Sequence, residues 1–301
     1  MILNGHMNIS VIGSKGLAKE LGKKGSSSDI ILYNTSFQGK HFTFIEPEIY
    51  PEKIQTLFQS MNMSQFVILY IKKDLPKNIL GECIIAADML KKKGMIVLDE
   101  VEEDIKSIIK GTSLKDFPII ENNTAKILDF LSNIEIQKVE GKPKVVIDHF
   151  FVVKSVGTIA LGTVFSGEVR KYDKLTLFPL KKEVMVKSIQ IHDKDYEKAG
   201  FGERVGLSIK GVNIDELKRG YIISDNIECI KEIKIKITKN IFFKEDDPKN
   251  VMCIVGLQYV RGVLEDGKIV FENEVAYDNE WIVILIPEKK MRIFGLSSRV
   301  E

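Results

Sequence analysis

The stretch that decides the fold is VIDHFFVVKSVGT at residues 146–158, followed closely by LGTVFSG at residues 161–167. The barrel region contains apolar runs with the period of two that is typical of strands, such as Thr158–Val164, and glycines stand at positions 157, 162 and 167, where the chain must turn. Further short strands follow at Leu175–Leu177, Val184–Ile191, Val205–Ile209 and Tyr221–Ile223. Evenly spaced short strands with glycine turns predict a closed β-barrel.

The chain before this barrel has a different pattern, in which buried strands alternate with helices as far as residue 138. The pattern predicts a strand at Phe66–Ile71 and helices over residues 17–24 and 52–61. Strands that alternate with helices predict a parallel sheet covered on both faces.

The chain after the barrel again predicts strands. Ile233, Ile235 and Ile237 alternate with lysines, as one half-buried strand face should, and Asp266-Gly267 favours a hairpin turn. The expected domains are therefore an α/β domain at residues 1–138, a barrel at 141–228 and a small barrel at 229–301, with a linker over residues 139–144.

Composition excludes several classes of protein. The 301 residues carry 44 Lys+Arg and 42 Asp+Glu, a net charge of +2, so any nucleic-acid contact must come from local basic patches. Cys83, Cys229 and Cys253 are widely spaced and form no CxxC pair, which favours a reducing cytoplasm over a disulfide scaffold. The sequence contains no apolar run of membrane-spanning length, so no membrane partner is expected.

The barrel carries a family resemblance in its motifs, which include FPL at residues 178–180, VKSIQIHD at 186–193, AGFGERVG at 199–206 and KRG at 218–220. In this order they resemble domain 2 of the translational GTPases of the elongation factor Tu class, and most of all the archaeal SelB type. LGKKGSSSDI at residues 21–30 resembles the SelB-like subfamily that includes the factor proposed for pyrrolysine (EF-Pyl). The resemblance implies a P-loop GTPase-like α/β domain followed by two β-barrels, in a translation elongation factor.

The phosphate-binding loop of that family, GxxxxGK[ST], is degraded in this chain. Residues 13–20 read GSKGLAKE, so Gly13 and Lys19 match the motif, whereas Ala18 replaces a glycine and Glu20 replaces the hydroxyl that holds Mg²⁺. A carboxylate at position 20 lies where the phosphates would come. The sequence predicts at most weak binding of GTP or GDP with Mg²⁺.

Two further GTPase motifs are also altered. In FIEPEIY at residues 44–50, Glu46 replaces the aspartate of DxxG, Ile49 replaces its glycine, and Tyr50 stands at the position of the water-orienting histidine. The guanine motif NKxD falls on residues 99–102, where Glu102 keeps only the final acid. We therefore predict a vestigial nucleotide site of Gly13, Lys19 and Glu102, no catalytic or metal-binding residues, and no active GTPase.

The resemblance also implies a site for the aminoacylated 3′ end of tRNA, which in the family lies between domains 1 and 2. By motif position its side chains are Asp148, His149, His192 and Arg204. Aminoacyl-tRNA or the ribosome is then the expected partner. Two alternatives stay open: a regulatory or scaffold protein that uses this fold to bind a protein partner, and a weak GTP-binding GTPase with an altered pocket.

Overall fold

The computed structural model describes residues 5–99 and 105–300. Its first part is a seven-stranded sheet in the order β2-β3-β4-β1-β5-β6-β7, in which β4, β1, β5, β6 and β7 run parallel and β2 and β3 are antiparallel additions at one edge. The strands are β1 His6–Gly13, β2 Lys23–Ser27, β3 Ile31–Phe37, β4 Lys40–Glu46, β5 Phe66–Ile71, β6 Lys93–Leu98 and β7 Ile119–Glu121. The helices are α1 Leu17–Leu21, α2 Ile54–Asn62, α3 Lys77–Met89, α4 Ile105–Ile109 and α5 Thr124–Ser132.

The central strands are buried along their length, because a parallel sheet is packed on both faces. All six residues of β5 are buried, as their unbroken apolar run predicts. Helix α2 buries the face that carries Ile54, Leu57, Phe58 and Met61, as its period of 3.6 predicts. The predicted α/β architecture is confirmed.

The predicted helix over residues 17–24 is wrong in its second half. Helix α1 ends at Leu21, Gly22 is extended, and Lys23–Ser27 form strand β2 beside β3. A Cβ atom on Gly22 would lie 3.1 Å from the backbone of Asn34, so the glycine allows the two chain segments to approach closely. The sequence pattern around Lys23 and Lys24 is polar and therefore carries no periodic signal for this edge strand.

The first β-barrel follows. Its sheet has the order β11-β16-β8-β9-β15-β12-β13, and pairing of β11 with β12 closes it, while β10 and β14 form a separate two-stranded sheet. The strands are β8 Lys144–Val153, β9 Gly157–Ser166, β10 Glu168–Arg170, β11 Lys174–Phe178, β12 Lys182–Ile191, β13 Lys194–Tyr196, β14 Lys198–Gly200, β15 Arg204–Lys210 and β16 Ile222–Ser224. Alternate residues such as Val145, Ile147, Val205, Leu207 and Ile209 fill its interior.

The second barrel closes in the order β17-β20-β19-β18-β21-β22. Its strands are β17 Glu228–Lys239, β18 Asn250–Val255, β19 Gln258–Glu265, β20 Lys268–Tyr277, β21 Ile282–Leu285 and β22 Ile293–Arg299. Asp266 and Gly267 have φ values of 48° and 74° and join β19 to β20, which confirms the predicted hairpin turn.

Contacts divide the chain into two compact units. The first comprises Met1–Ile136, Lys239–Lys244 and Ile286–Leu296, and the second comprises Gln137–Thr238, Glu245–Leu285 and Ser297–Glu301. The expected domain boundaries at residues 138, 141 and 228 remain predictions. Within the described residues, none of the helices has the length and apolar character needed to cross a membrane.

Candidate functional site

The turn between β1 and α1 is only three residues long. Gly13 ends β1 with a φ of 95°, and a Cβ atom there would lie 2.3 Å from the carbonyl oxygen of Tyr70. The N–H of Ser14 donates to that same oxygen at 2.8 Å, and the Ser14 hydroxyl accepts from the N–H of Lys72 at 3.0 Å. The turn is therefore held against β5, so Gly13 is required by packing whether or not phosphate binds.

A carboxylate of the chain itself caps the start of α1. The N–H of Gly16 donates to Oε2 of Glu46 at 3.1 Å, and Ala18 also hydrogen-bonds this carboxyl through its backbone. Glu46 ends β4 and is 4% exposed. Burial raises the pKa of Glu46, and the bonds from Gly16 and Ala18 partly oppose that rise. Backbone N–H groups at a turn of this kind are the ones that hold phosphate in a P-loop, so Glu46 occupies the donors an anion would need.

The other predicted nucleotide residues lie elsewhere. Lys19 and Glu20 are on the exposed face of α1. Glu102 lies outside the described residues, and its predicted contact with guanine, like the phosphate contacts of Gly13 and Lys19, stays a prediction.

A hydrogen-bonded cluster joins the carboxyl ends of β5, β6 and β7. The Tyr70 hydroxyl donates to Oδ1 of Asp99 at 2.8 Å, and Nδ2 of Asn122 donates to the same oxygen at 2.6 Å. Burial and the bond to Asp99 raise the pKa of Tyr70. Sequence reasoning missed Tyr70 and Asn122. Both stand at or just beyond the ends of parallel strands, where polar side chains converge, and that position could have identified them.

In the first barrel, the structure brings Asp148 and Arg204 together. Asp148 is 6% exposed and lies where the β8–β9 register shifts, and both guanidinium NH₂ groups of Arg204 donate to its carboxylate, one of them at 2.8 Å. The Arg219 Nε–H donates to the carbonyl oxygen of Asp148 at 3.0 Å. A two-pronged bond of this kind fixes the orientation of both partners. Arg219 was not predicted, although it is part of the quoted KRG motif.

Both predicted histidines lie between Asp148 and Arg204 along the chain. His149 follows Asp148, is partly exposed and has its ring centroid 6.3 Å from that of Phe151. His192 is exposed in the turn between β12 and β13, with a φ of 50°. Burial raises the pKa of Glu203, and the hydrogen bond from the Gly200 N–H, with a smaller attraction from His192, opposes the rise.

Comparisons with known proteins agree with this architecture. The family described as elongation factor Tu domain 2 matches residues 157–224. The crystal structure of elongation factor SelB from Methanococcus maripaludis in complex with the GTP analogue GppNHp superposes with a TM-score of 0.85, at 22% identity, over 99% of this chain and 79% of that one. Its apo form gives a TM-score of 0.81 at 24% identity, over 98% of this chain and 79% of that one.

Sequence relatives extend the likeness to the whole chain. The uncharacterized protein MJ0325 of Methanocaldococcus jannaschii is 40% identical over 94% of this chain and 95% of its own length. The selenocysteine-specific elongation factor of the same organism is 27% identical over 89% of this chain, which spans 62% of that factor. The chain belongs to the SelB-like branch of the elongation factor Tu class.

In this SelB-like protein the turn between β1 and α1 and the ion pair in the first barrel differ in the groups that they offer to a ligand. The turn that should receive phosphate is short and capped by Glu46. The first barrel instead pairs an acid with a guanidinium, and His149 follows that acid in the chain. Groups of this kind recognise polar or charged ligands through charge-assisted hydrogen bonds. None of the described residues form a cluster of three or more side chains able to hold a metal ion.

Proposed function

We propose that this SelB-like elongation factor paralogue binds aminoacyl-tRNA, or the translation machinery, with little or no GTP hydrolysis. One observation carries the proposal: the Glu46 carboxylate accepts hydrogen bonds from Gly16 and Ala18, the donors that a nucleotide phosphate would need. A phosphate that enters this turn must displace the buried carboxylate of Glu46, and its negative charge is repelled by that carboxylate. Tyr50, which replaces the water-orienting histidine, is buried and donates its hydroxyl to Glu82, which further disfavours hydrolysis.

The barrel supports the binding half of the proposal. Asp148 and Arg204 hold each other in one orientation, and His149 and His192 add imidazoles at partly or fully exposed positions. An aminoacyl ester carries a free ammonium group, a carbonyl oxygen and a side chain, so acid and guanidinium groups match its donors and acceptors. We expect the barrel to recognise the aminoacyl end without help from a nucleotide.

The test is filter binding of the purified chain to total aminoacylated tRNA and to the same tRNA after deacylation, each with and without GTP and Mg²⁺. We expect preferential retention of aminoacylated tRNA that does not depend on GTP, and about fivefold weaker retention for His192→Ala, since one charge-assisted bond contributes about 1 kcal/mol or more. His6→Ala is the matched control, because it removes an imidazole from the α/β sheet.

A parallel titration with labelled GTP and GDP completes the test. Absence of aminoacyl-tRNA retention, together with no effect of His192→Ala, would contradict tRNA binding and leave the scaffold alternative in its place. Micromolar GTP binding that Lys19→Ala abolishes would instead support the GTPase with an altered pocket.

A further inference from the structure

The segment that follows β4, Glu46–Pro51, is held at both of its ends. At one end the Glu46 carboxylate bonds the backbone of Gly16 and Ala18 at the start of α1. Between the ends, Lys15 reaches back with its ammonium group to the carbonyl oxygen of Glu48. The segment is therefore held against the β1–α1 turn by hydrogen bonds between protein groups.

At the other end, Tyr50 and Pro51 belong to a partly buried network. The Tyr50 hydroxyl donates to Oε2 of Glu82 on α3 at 2.8 Å. The guanidinium of Arg292 donates through Nε to Oε1 of Glu82 at 3.0 Å and through a second nitrogen to its other oxygen. It also donates to the carbonyl oxygen of Pro51 at 2.5 Å, and lies 5.9 Å from the centre of the Tyr50 ring.

Loss of any one partner from this network should lower the free energy of unfolding substantially. The side chains of Arg292 and Glu82 are 18% and 11% exposed, and Tyr50 is 3% exposed. Removal of one partner from a buried ion pair leaves an uncompensated charge, which is far more destabilising than the loss of a surface pair. Arg292 belongs to Ile286–Leu296, the late stretch of chain that lies in the same compact unit as the α/β sheet.

We propose that Glu46–Pro51 is a permanently closed clamp, in which Glu46 serves as a built-in anionic ligand at one end and the Tyr50–Glu82–Arg292 network keeps Ile286–Leu296 bound at the other. No nucleotide is needed to close the clamp, and none opens it. Tyr50 thus has a structural role at the position where the family resemblance implies a residue that orients water. The inference rests on the proposed loss of nucleotide control but not on tRNA binding.

Cys83 provides a reporter inside the clamp. Its side chain is fully buried, and its Sγ donates to the Tyr50 hydroxyl oxygen at 3.7 Å. Burial raises the pKa of the Cys83 thiol to about 12, so it stays unreactive while the clamp is closed. Cys253, buried in the second barrel, reports unfolding of that barrel, and the half-buried Cys229 shows that the reagent is active.

The experiment measures alkylation of each cysteine by N-ethylmaleimide, with peptide mass spectrometry, in the full chain. We expect Arg292→Ala and Tyr50→Phe to raise the labelling rate of Cys83 at least tenfold and at least threefold, respectively, while Cys253 keeps its wild-type rate. Glu46→Ala should also raise Cys83 labelling, whereas the control Glu48→Ala, which keeps the backbone carbonyl that Lys15 contacts, should not. Addition of GTP and Mg²⁺ should leave every rate unchanged.

Tyr50→Phe removes a single hydroxyl and keeps the ring, so it tests the clamp even where Arg292→Ala fails to fold. Cys83 labelling that stays at the wild-type rate in Tyr50→Phe, or that rises only together with Cys253, would overturn the proposal. So would a change of Cys83 labelling on addition of GTP. These outcomes are independent of the filter-binding result, which alone decides the proposed tRNA binding.

Discussion

Glu46 differs from the other acidic residues around the turn where the resemblance implies a phosphate. From the sequence, Glu20, Glu46 and Asp99 are equivalent, since each places a negative charge near the expected nucleotide. The structure separates them: Glu20 is exposed, Asp99 accepts from Tyr70 and Asn122, and Glu46 is buried on backbone donors. Only Glu46 has taken up the donors that phosphate would use, because only its carboxyl reaches the turn before α1.

Gly13 is the residue at which this turn is most sensitive. We expect Gly13→Ala to lower the free energy of unfolding by about 2–4 kcal/mol, because a methyl group would lie 2.3 Å from the Tyr70 oxygen at a φ of 95°. Gly81→Ala in α3 meets nothing within 4 Å and should instead stabilise by about 0.5–1 kcal/mol. Urea unfolding of both variants checks this, and equal midpoints for the two would contradict the close approach of β1 to β5.

Helix α3 is tied at its carboxyl end to Ser113, through hydrogen bonds that the sequence of the helix does not predict. Asp88 near its end accepts from the N–H and the hydroxyl of Ser113, each at 2.7 Å, and from the Lys91 ammonium at 2.9 Å. These bonds tie α3 to the short 3₁₀ turn Ser113–Asp116. The helix spans Lys77–Met89, and Lys91 follows it with a φ of 49°.

The Asp88 connection predicts a pH-dependent stability. Burial works against the charged form, but the bonds from Ser113 and Lys91 prevail and lower the pKa of Asp88 below 3.8. A carboxylate whose folded pKa is lowered stabilises the fold above its unfolded pKa, and loses that contribution as the pH falls through the folded value. Asp88→Asn should therefore cost about 1 kcal/mol at pH 7 and progressively less below about pH 4. The exposed Asp116→Asn is the control, and a pH-independent difference between Asp88→Asn and wild type in thermal melts would contradict the assignment.

At the scale of the whole molecule, the two barrels meet through backbone atoms within the second unit. Gly220, just before β16, has a φ of 88°, and a Cβ atom there would lie 2.3 Å from the backbone nitrogen of Gln258 at the start of β19. The buried Gln258 side chain in turn bonds both backbone groups of Ala276, at 2.9 Å and 2.7 Å. This contact requires glycine because it combines a left-handed φ with close approach.

Gly220→Ala should separate the barrels at this point and lower the free energy of unfolding by about 3 kcal/mol or more, since both backbone strain and a clash are introduced. The fluorescence of Trp281, the single tryptophan, follows unfolding of the second barrel in urea. Gly267→Ala in the second barrel, at a φ of 74° and with nothing within 4 Å of an added Cβ atom, measures the cost of strain alone. If the two variants unfold at the same urea concentration, the close contact contributes nothing to stability.

Much of this molecule follows from local sequence alone. Alternating apolar residues and glycine turns specify the barrel strands, and an unbroken apolar run specifies β5. The degraded motifs around Gly13, Glu46 and residue 99 are also visible without a structure. All of these features depend only on residues that are neighbours in the sequence. The sequence predicts only that Asp148 and Arg204 belong to one site. The two hydrogen bonds that join them depend on how the barrel brings β8 and β15 together.

Other features were decided by tertiary structure. The Glu46 cap, the Tyr70–Asp99–Asn122 cluster and the bond between Glu82 and Arg292, which are 210 residues apart, join segments whose separation leaves no periodic trace in the sequence. A side chain's partner depends on which elements the whole chain packs beside it, and burial then decides how strongly that partner is needed. The sequence by itself therefore determined the kind of domains and the degraded GTPase motifs, whereas the packing of distant segments decided which side chains bond the turn before α1.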